Sequence, residues 1–87
     1  MEVHLDRWLA EFGAPRETRV SARDLAELIG TLEAQYPRLR GKMRDDTGEM
    51  RRFVRVFVNG EVVEGLDPSR VLAPDDRIDI LHSIAGG

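Results

Sequence analysis

An α+β domain, with one main helix packed on one face of a mixed four- to five-stranded sheet, is the fold class this sequence predicts. Three observations carry it. Leu25, Leu28, Ile29 and Leu32 fall at i, i+3, i+4 and i+7, a single apolar stripe of helical period. Asn59-Gly60 separates two β-rich runs, residues 52–58 and 61–64, the strongest short-range hairpin signal. Alternating segments lie at both ends of the domain, residues 1–5 and 77–81.

Residues 1–5 set Val3 and Leu5 on one face of a short strand and Glu2 and His4 on the other. Trp8 and Leu9 lead into Gly13-Ala14-Pro15, a turn cluster, and Trp8 is assigned to packing at the core edge. A second strand, about residues 17–20, buries Thr18 and Val20 and exposes Glu17 and Arg19. Ser21 with Asp24 approximates a capping box at the head of the helix. Tyr36 extends its apolar stripe by one turn, Pro37 stops it, and Glu27, Thr31 and Glu33 take the wet side. Residues 38–50 are polar and close on the turn Asp45-Asp46-Thr47-Gly48; Leu39 and Met43, four apart, suit a short second helix that lids the core.

A two-residue hairpin loop sets Val58 opposite Glu61, Phe57 opposite Val62, Val56 opposite Val63 and Arg55 opposite Glu64. Val56 and Val63 then share the core face, while Arg55 and Glu64 form an ion pair on the outer one. The same register leaves Phe57 and Val62 outside. Asp67-Pro68 reads as a cap followed by Pro at a first helical position, so 68–72 is one short turn, and Pro74-Asp75-Asp76 is another. In the last strand, 77–81, Ile78 and Ile80 face the core and Leu81 faces out. The domain is drawn as 1–82, with 83–87 a flexible tail.

Composition narrows the function. Eighty-seven residues make one small domain. The absence of cysteine excludes disulfides, thiolate metal sites and a cysteine nucleophile. Two histidines, His4 and His82, leave little for a metal site or a base–nucleophile pair, so the chain is expected to be no enzyme and to bind no metal or cofactor of its own. The net charge of −3 is uneven: residues 1–37 carry −3, residues 38–55 carry +4 and residues 56–87 carry −4. The basic block has acids interleaved and no aromatic stacking series, which reads as a solvated surface and not a nucleic-acid site. The opening MEVHLDRWLAE lacks the apolar core of a signal peptide, and no apolar run is long enough to span a bilayer. The expectation is a cytoplasmic protein with no membrane partner, and nothing demands more than a monomer.

The most informative feature is the end, Gly86-Gly87. At average glycine usage a terminal Gly-Gly arises by chance in about one sequence in 200. Two residues without Cβ form a thread that enters narrow channels and lets another protein's groups approach the α-carboxylate. A carboxylate is inert at neutral pH, so such a tail becomes useful once a partner activates it.

The stretch FVRVFVNGEVVEGLDPSRVLAPDDRIDILHSIAGG resembles the ThiS/MoaD sulfur-carrier family, whose fold is the ubiquitin-like β-grasp. DLAELIGTLEAQYPRLR resembles the family's helix and DDTGEMRRFVRVFVNG its loop and hairpin. The length and the LEAQYP, RRFVRVFVNGE and IAGG segments most resemble the CysO-type branch, which supplies sulfur for cysteine synthesis. Where the family usually has Gly-Asp before the last strand, this chain has Asp75-Asp76, an Asp being able to take a left-handed turn position.

The resemblance implies a mechanism. A ThiF/MoeB-like activating enzyme, using ATP and Mg, adenylates the Gly87 carboxylate. A sulfur donor then displaces AMP to leave a thiocarboxylate, which a sulfur-accepting biosynthetic enzyme consumes. The pathway stays open among cysteine, thiamin, molybdopterin and related metabolites. Gly87 carries the reacting atom, and Gly86, Ala85 and Ile84 thread it into the partner. Phe57, Val62 and Leu81, flanked by Arg55, form a candidate docking patch, with His82 where strand becomes tail. Two alternatives remain: a protein modifier joined through Gly87 to target lysines, and a non-covalent β-grasp adaptor. Lys42 is the sole lysine beside twelve arginines, which suits a chain with an activated acyl end as well as it suits Arg-rich codon usage.

Overall fold

Residues 1–83 are described by the structure, a computed structural model. The expectations for Ile84, Ala85, Gly86 and Gly87 lie outside the described residues. In chain order the elements are β1 (Glu2–Leu5), α1 (Arg7–Ala10), β2 (Glu17–Arg19), α2 (Leu25–Gln35), a 3-10 turn (Pro37–Leu39), β3 (Val54–Val58), β4 (Glu61–Val63) and β5 (Arg77–His82). The strands form one sheet in the order β2-β1-β5-β3-β4. The central pair β1–β5 is parallel and every other pairing is antiparallel. This is the β-grasp arrangement, two hairpins joined through a parallel centre with α2 across one face. No helix among the described residues is long and apolar enough to cross a membrane.

The core follows the two periodicities read from sequence. Leu25, Leu28, Ile29 and Leu32 of α2 are fully buried against the inward residues of the sheet, Val3, Leu5, Val54, Val56, Val58, Ile78 and Ile80. Leu39 and Met43 close one end of this core as expected, but only Pro37–Leu39 is helical. Pro37 both ends α2 and starts the 3-10 turn, since its fixed φ suits a first helical position. Leu72 seals the opposite end, its N–H donating to the Arg23 carbonyl at 2.8 Å.

Several local expectations are corrected. The cap of α2 is Asp24, not Ser21: its carboxylate accepts the Glu27 N–H at 2.9 Å, and Glu27 reaches back to the Arg23 N–H at 3.2 Å. The cap therefore sits three residues on from the one expected, and Glu27 bonds the N–H before the cap and not the cap's own, so the reciprocal box does not close. The hairpin register is as predicted for Val56–Val63, Phe57–Val62 and Val58–Glu61, but β4 ends at Val63 and no Arg55–Glu64 ion pair forms. Arg55 instead turns back along its own strand, its Nη1 donating to the Arg52 carbonyl at 2.6 Å. Neither Asp75 nor Asp76 adopts positive φ; among the described non-glycine residues only Asn59 does. The Asp76 carboxylate closes the turn locally by accepting the Ala73 N–H at 2.8 Å, so no glycine is required there.

Asn59 and Gly60 have φ of 51° and 85°, the two left-handed positions of a type I′ turn. The Asn59 side chain also ties this tip to the start of β5. Its Nδ2 donates to Asp76 Oδ1 and its Oδ1 accepts the Arg77 N–H, both at 2.9 Å.

Candidate functional site

The sheet face away from α2 is divided by composition. On β1, β2 and the first half of β5 it is charged: His4 Nε2 pairs with Glu2 Oε1 at 2.5 Å and lies 3.8 Å from Glu17 Oε1. Arg77 engages Asp79 through two nitrogens at 3.0 and 3.1 Å. The hydrogen bond from His4 holds the Glu2 carboxyl below its ordinary pKa, and the Asp79 contact raises that of Arg77. On β3, β4 and the end of β5 the face turns apolar. Val62 and Leu81 are 53% and 37% exposed, and half-buried Phe57 pairs directly with Val62. Arg55 pairs in register with Leu81 and rims the patch. Four of the five residues proposed for docking are therefore brought together.

His82 is not among them. The sequence strand stopped at Leu81, whereas β5 runs to His82, and alternation turns its side chain to the side of Ile78 and Ile80. There it forms the root of the tail. β1 ends because the chain turns into α1 after Leu5, and Asp6 occupies the junction. One carboxylate oxygen of Asp6 caps α1 by accepting the Leu9 N–H at 2.9 Å. The other accepts the His82 N–H at 2.7 Å and meets His82 Nδ1 at 2.6 Å. With the Asp6 N–H donating to Ile80 O at 3.1 Å, the carboxylate stands in for the next carbonyl of the parallel ladder. Burial pushes the Asp6 carboxyl up, but the bonds from His82 N–H, Leu9 N–H and the imidazole outweigh it, and its pKa lies below the ordinary value.

Aromatic packing completes this root. The His82 ring lies 4.8 Å from the Trp8 indole, tilted by 31°. Trp8 meets Phe12 and Phe53 edge-on at 5.1 and 5.6 Å. Lys42, the sole lysine, sits 4.8 Å above the Phe12 ring. Ser83, where the sequence starts the tail, donates its N–H to the Phe53 carbonyl at 2.6 Å, so the pairing of β5 with the chain before β3 reaches this residue. Trp8 is a packing residue as expected, though it packs the tail root and not only the core edge. Asp6 and Phe53 were missed. Asp6 is a good helix cap by residue type, but a contact between positions 6 and 82 leaves no local trace in a sequence.

The described residues thus place an apolar patch on one face of the sheet and hold His82 and Ser83, the end of the described chain, on the other. The small archaeal modifier protein 1 (SAMP1) of Haloferax volcanii superposes with a TM-score of 0.83 at 26% identity, covering 100% of this chain and 98% of that one. CysO of Mycobacterium tuberculosis gives 0.81 at 28% identity, covering 95% and 98%. A structure of the Amycolatopsis orientalis BexX/CysO complex gives 0.84 at 23% identity, covering 99% and 98%, a likeness of fold. A search of curated proteins found no significant match. The sequence model of the ThiS family matches residues 12–87. Fold and sequence together place the chain: it belongs to the ThiS family, ubiquitin-like β-grasp sulfur carriers.

Proposed function

We propose that this chain is a substrate for an ATP-dependent, ThiF/MoeB-like activating enzyme that works on Gly87. The Gly87 carboxylate attacks the α-phosphorus of Mg-bound ATP and pyrophosphate leaves, giving an acyl-adenylate. Hydrosulfide from a sulfur donor adds at the acyl carbon and AMP leaves, giving a thiocarboxylate for a biosynthetic acceptor enzyme. Adenylation supplies the leaving group that a carboxylate lacks. Phe57, Val62 and Leu81, with Arg55 at the rim, dock the activating enzyme, while Ile84, Ala85 and Gly86 enter its active site. The observation that carries this reading is the ThiS family match, which runs through the terminal Gly86-Gly87.

Intact mass of the protein from its own host, with and without a thiol-alkylating reagent, tests it. The chain has no cysteine, so alkylation reports on a terminal thioacid. The expected result is a mass gain matching exchange of one oxygen for one sulfur, together with alkylation. An unmodified mass that persists with ATP, a sulfur donor and the host's activating enzymes overturns it.

The likeness to SAMP1, a small archaeal modifier protein, at 26% identity favours a second reading, conjugation of Gly87 to lysines of other proteins. Larger covalent species that resist reducing agents in host lysates would select that reading.

A further inference from the structure

We propose that Asp6 is a positioning residue for the activation of Gly87: by holding both the backbone and the imidazole of His82, its carboxylate fixes the point from which the last residues leave the domain. The inference rests on the carrier reading above and assigns a role that the docking patch does not supply.

Asp6 serves two masters at once. One oxygen holds the first turn of α1 through Leu9, and the other holds His82 by two bonds of 2.7 and 2.6 Å. On the far side Ser83 is held to the Phe53 carbonyl at 2.6 Å, and Trp8 lies against the His82 ring. The chain is therefore gripped from both sides immediately before the last four residues. Four residues span at most about 14 Å when extended, so Gly87 can lie no farther than that from Ser83. Loss of the Asp6 bonds leaves His82 and Ser83 held from the β3 side alone, by the Val54–His82 pairing and the Ser83 N–H on the Phe53 carbonyl, and each residue that frays from that side adds about 3.4 Å to the reach of Gly87. A larger swept volume lowers the effective concentration of the carboxylate at the enzyme's ATP site. The docking patch lies on the opposite face of β5 and keeps its geometry, so binding and delivery are separable.

The residues to change are Asp6 and His82. Asp6→Ser keeps a good cap for α1 but is too short to hold His82; Asp6→Asn keeps an acceptor; His82→Phe keeps the stack on Trp8 and loses the imidazole bond. Amide exchange is measured at His82 and Ser83, with Ile78 and Ile80 as internal standards. ATP–pyrophosphate exchange is measured with the activating enzyme of the same host. For Asp6→Ser we expect exchange at His82 and Ser83 to rise about tenfold with Ile78 and Ile80 unchanged. The kcat of pyrophosphate exchange should fall about fivefold or more, with the KM for the carrier within about twofold of wild type. Asp6→Asn and His82→Phe should fall between the two.

Unchanged protection at His82, or raised exchange with wild-type kcat, overturns the proposal. So does a KM rise with kcat intact, which would make Asp6 a docking residue. Absence of pyrophosphate exchange with the wild-type protein sinks the carrier reading itself and the proposal with it, whereas normal exchange by Asp6→Ser sinks the proposal alone.

Discussion

Leu81 and His82 are consecutive in β5 and serve opposite faces of the sheet: Leu81 completes the apolar patch with Phe57 and Val62, and His82 is gripped by Asp6 on the side of α1. On the proposed reading, docking of a partner and delivery of Gly87 are assigned to residues joined by one peptide bond. Strand alternation keeps them apart. A change at one leaves the other in place, which makes each separately testable.

Val62 is the cleanest probe of docking. It is 53% exposed on the short edge strand β4 and contributes little to the core. Val62→Asp should raise the KM for the carrier about five- to tenfold, the loss of roughly 1 kcal/mol of apolar burial, with kcat unchanged. Its urea midpoint should stay near wild type, because surface changes away from special features cost about 0.5 kcal/mol or less. Wild-type KM in steady-state kinetics would remove Val62 from the interface.

The hairpin tip gives a prediction about the backbone itself. A Cβ at Gly60 meets nothing within 4 Å, so Gly60→Ala is penalised only by its φ of 85°. The expected cost is about 1–2 kcal/mol in urea unfolding. A D-alanine at position 60, introduced by chemical synthesis, suits that φ and should recover the loss. Asn59→Ala loses two hydrogen bonds to the start of β5 as well, so its cost should be about 2 kcal/mol. Equal stability of the L- and D-alanine proteins would disprove the argument from φ.

What could be read from sequence was whatever repeats at short range. The stripe from Leu25 to Leu32 and the alternation of residues 1–5 and 77–81 each correspond to a real element. Asn59-Gly60 specified the register of three residue pairs across the hairpin. Single turns escaped: α1 has four residues, too few for a helical period to show. Cap position slipped because Ser21 and Asp24 are both good caps, and only the fold decides which N–H is left over. His82 was within reach, since one more step of the alternation from Ile80 turns it inward. Its partner was not, because Asp6 lies 76 positions away and only the parallel β1–β5 pairing brings it near.

The core predicts a sharp contrast between two apolar residues of the same chain. Leu28 is fully buried beneath α2, whereas Val71 is 70% exposed in the loop before β5. Leu28→Ala should cost about 2–5 kcal/mol, from lost burial and an incompletely collapsed cavity. For a domain of this size that is a fall in Tm of about 10–30 °C. Val71→Ala should shift stability by about 0.5 kcal/mol or less. Calorimetry on the two variants checks both, and a comparable loss at Val71 would mean that its loop is buried in solution.

Asp6 makes the acid limb of stability informative. Its folded pKa lies below the ordinary value, so the folded state releases this proton more readily than the unfolded chain. The contribution is therefore fully present above the unfolded value of about 3.9 and is lost as pH falls through the lower, folded value. Asp45, Asp67 and Asp76 are depressed as well, chiefly by hydrogen bonds from Thr47, Ser69 and Ala73, so the whole protein should weaken in acid. The difference between wild type and Asp6→Ser isolates the one carboxylate. At neutral pH the variant should be less stable by about 2 kcal/mol, since two charge-assisted bonds to His82 are lost while the α1 cap is kept. The part of the gap that depends on the Asp6 charge should be lost as pH falls below about 4. Urea midpoints from neutral pH into acid decide it: a gap that stays constant into acid would assign the loss to packing around His82 and not to the charge on Asp6.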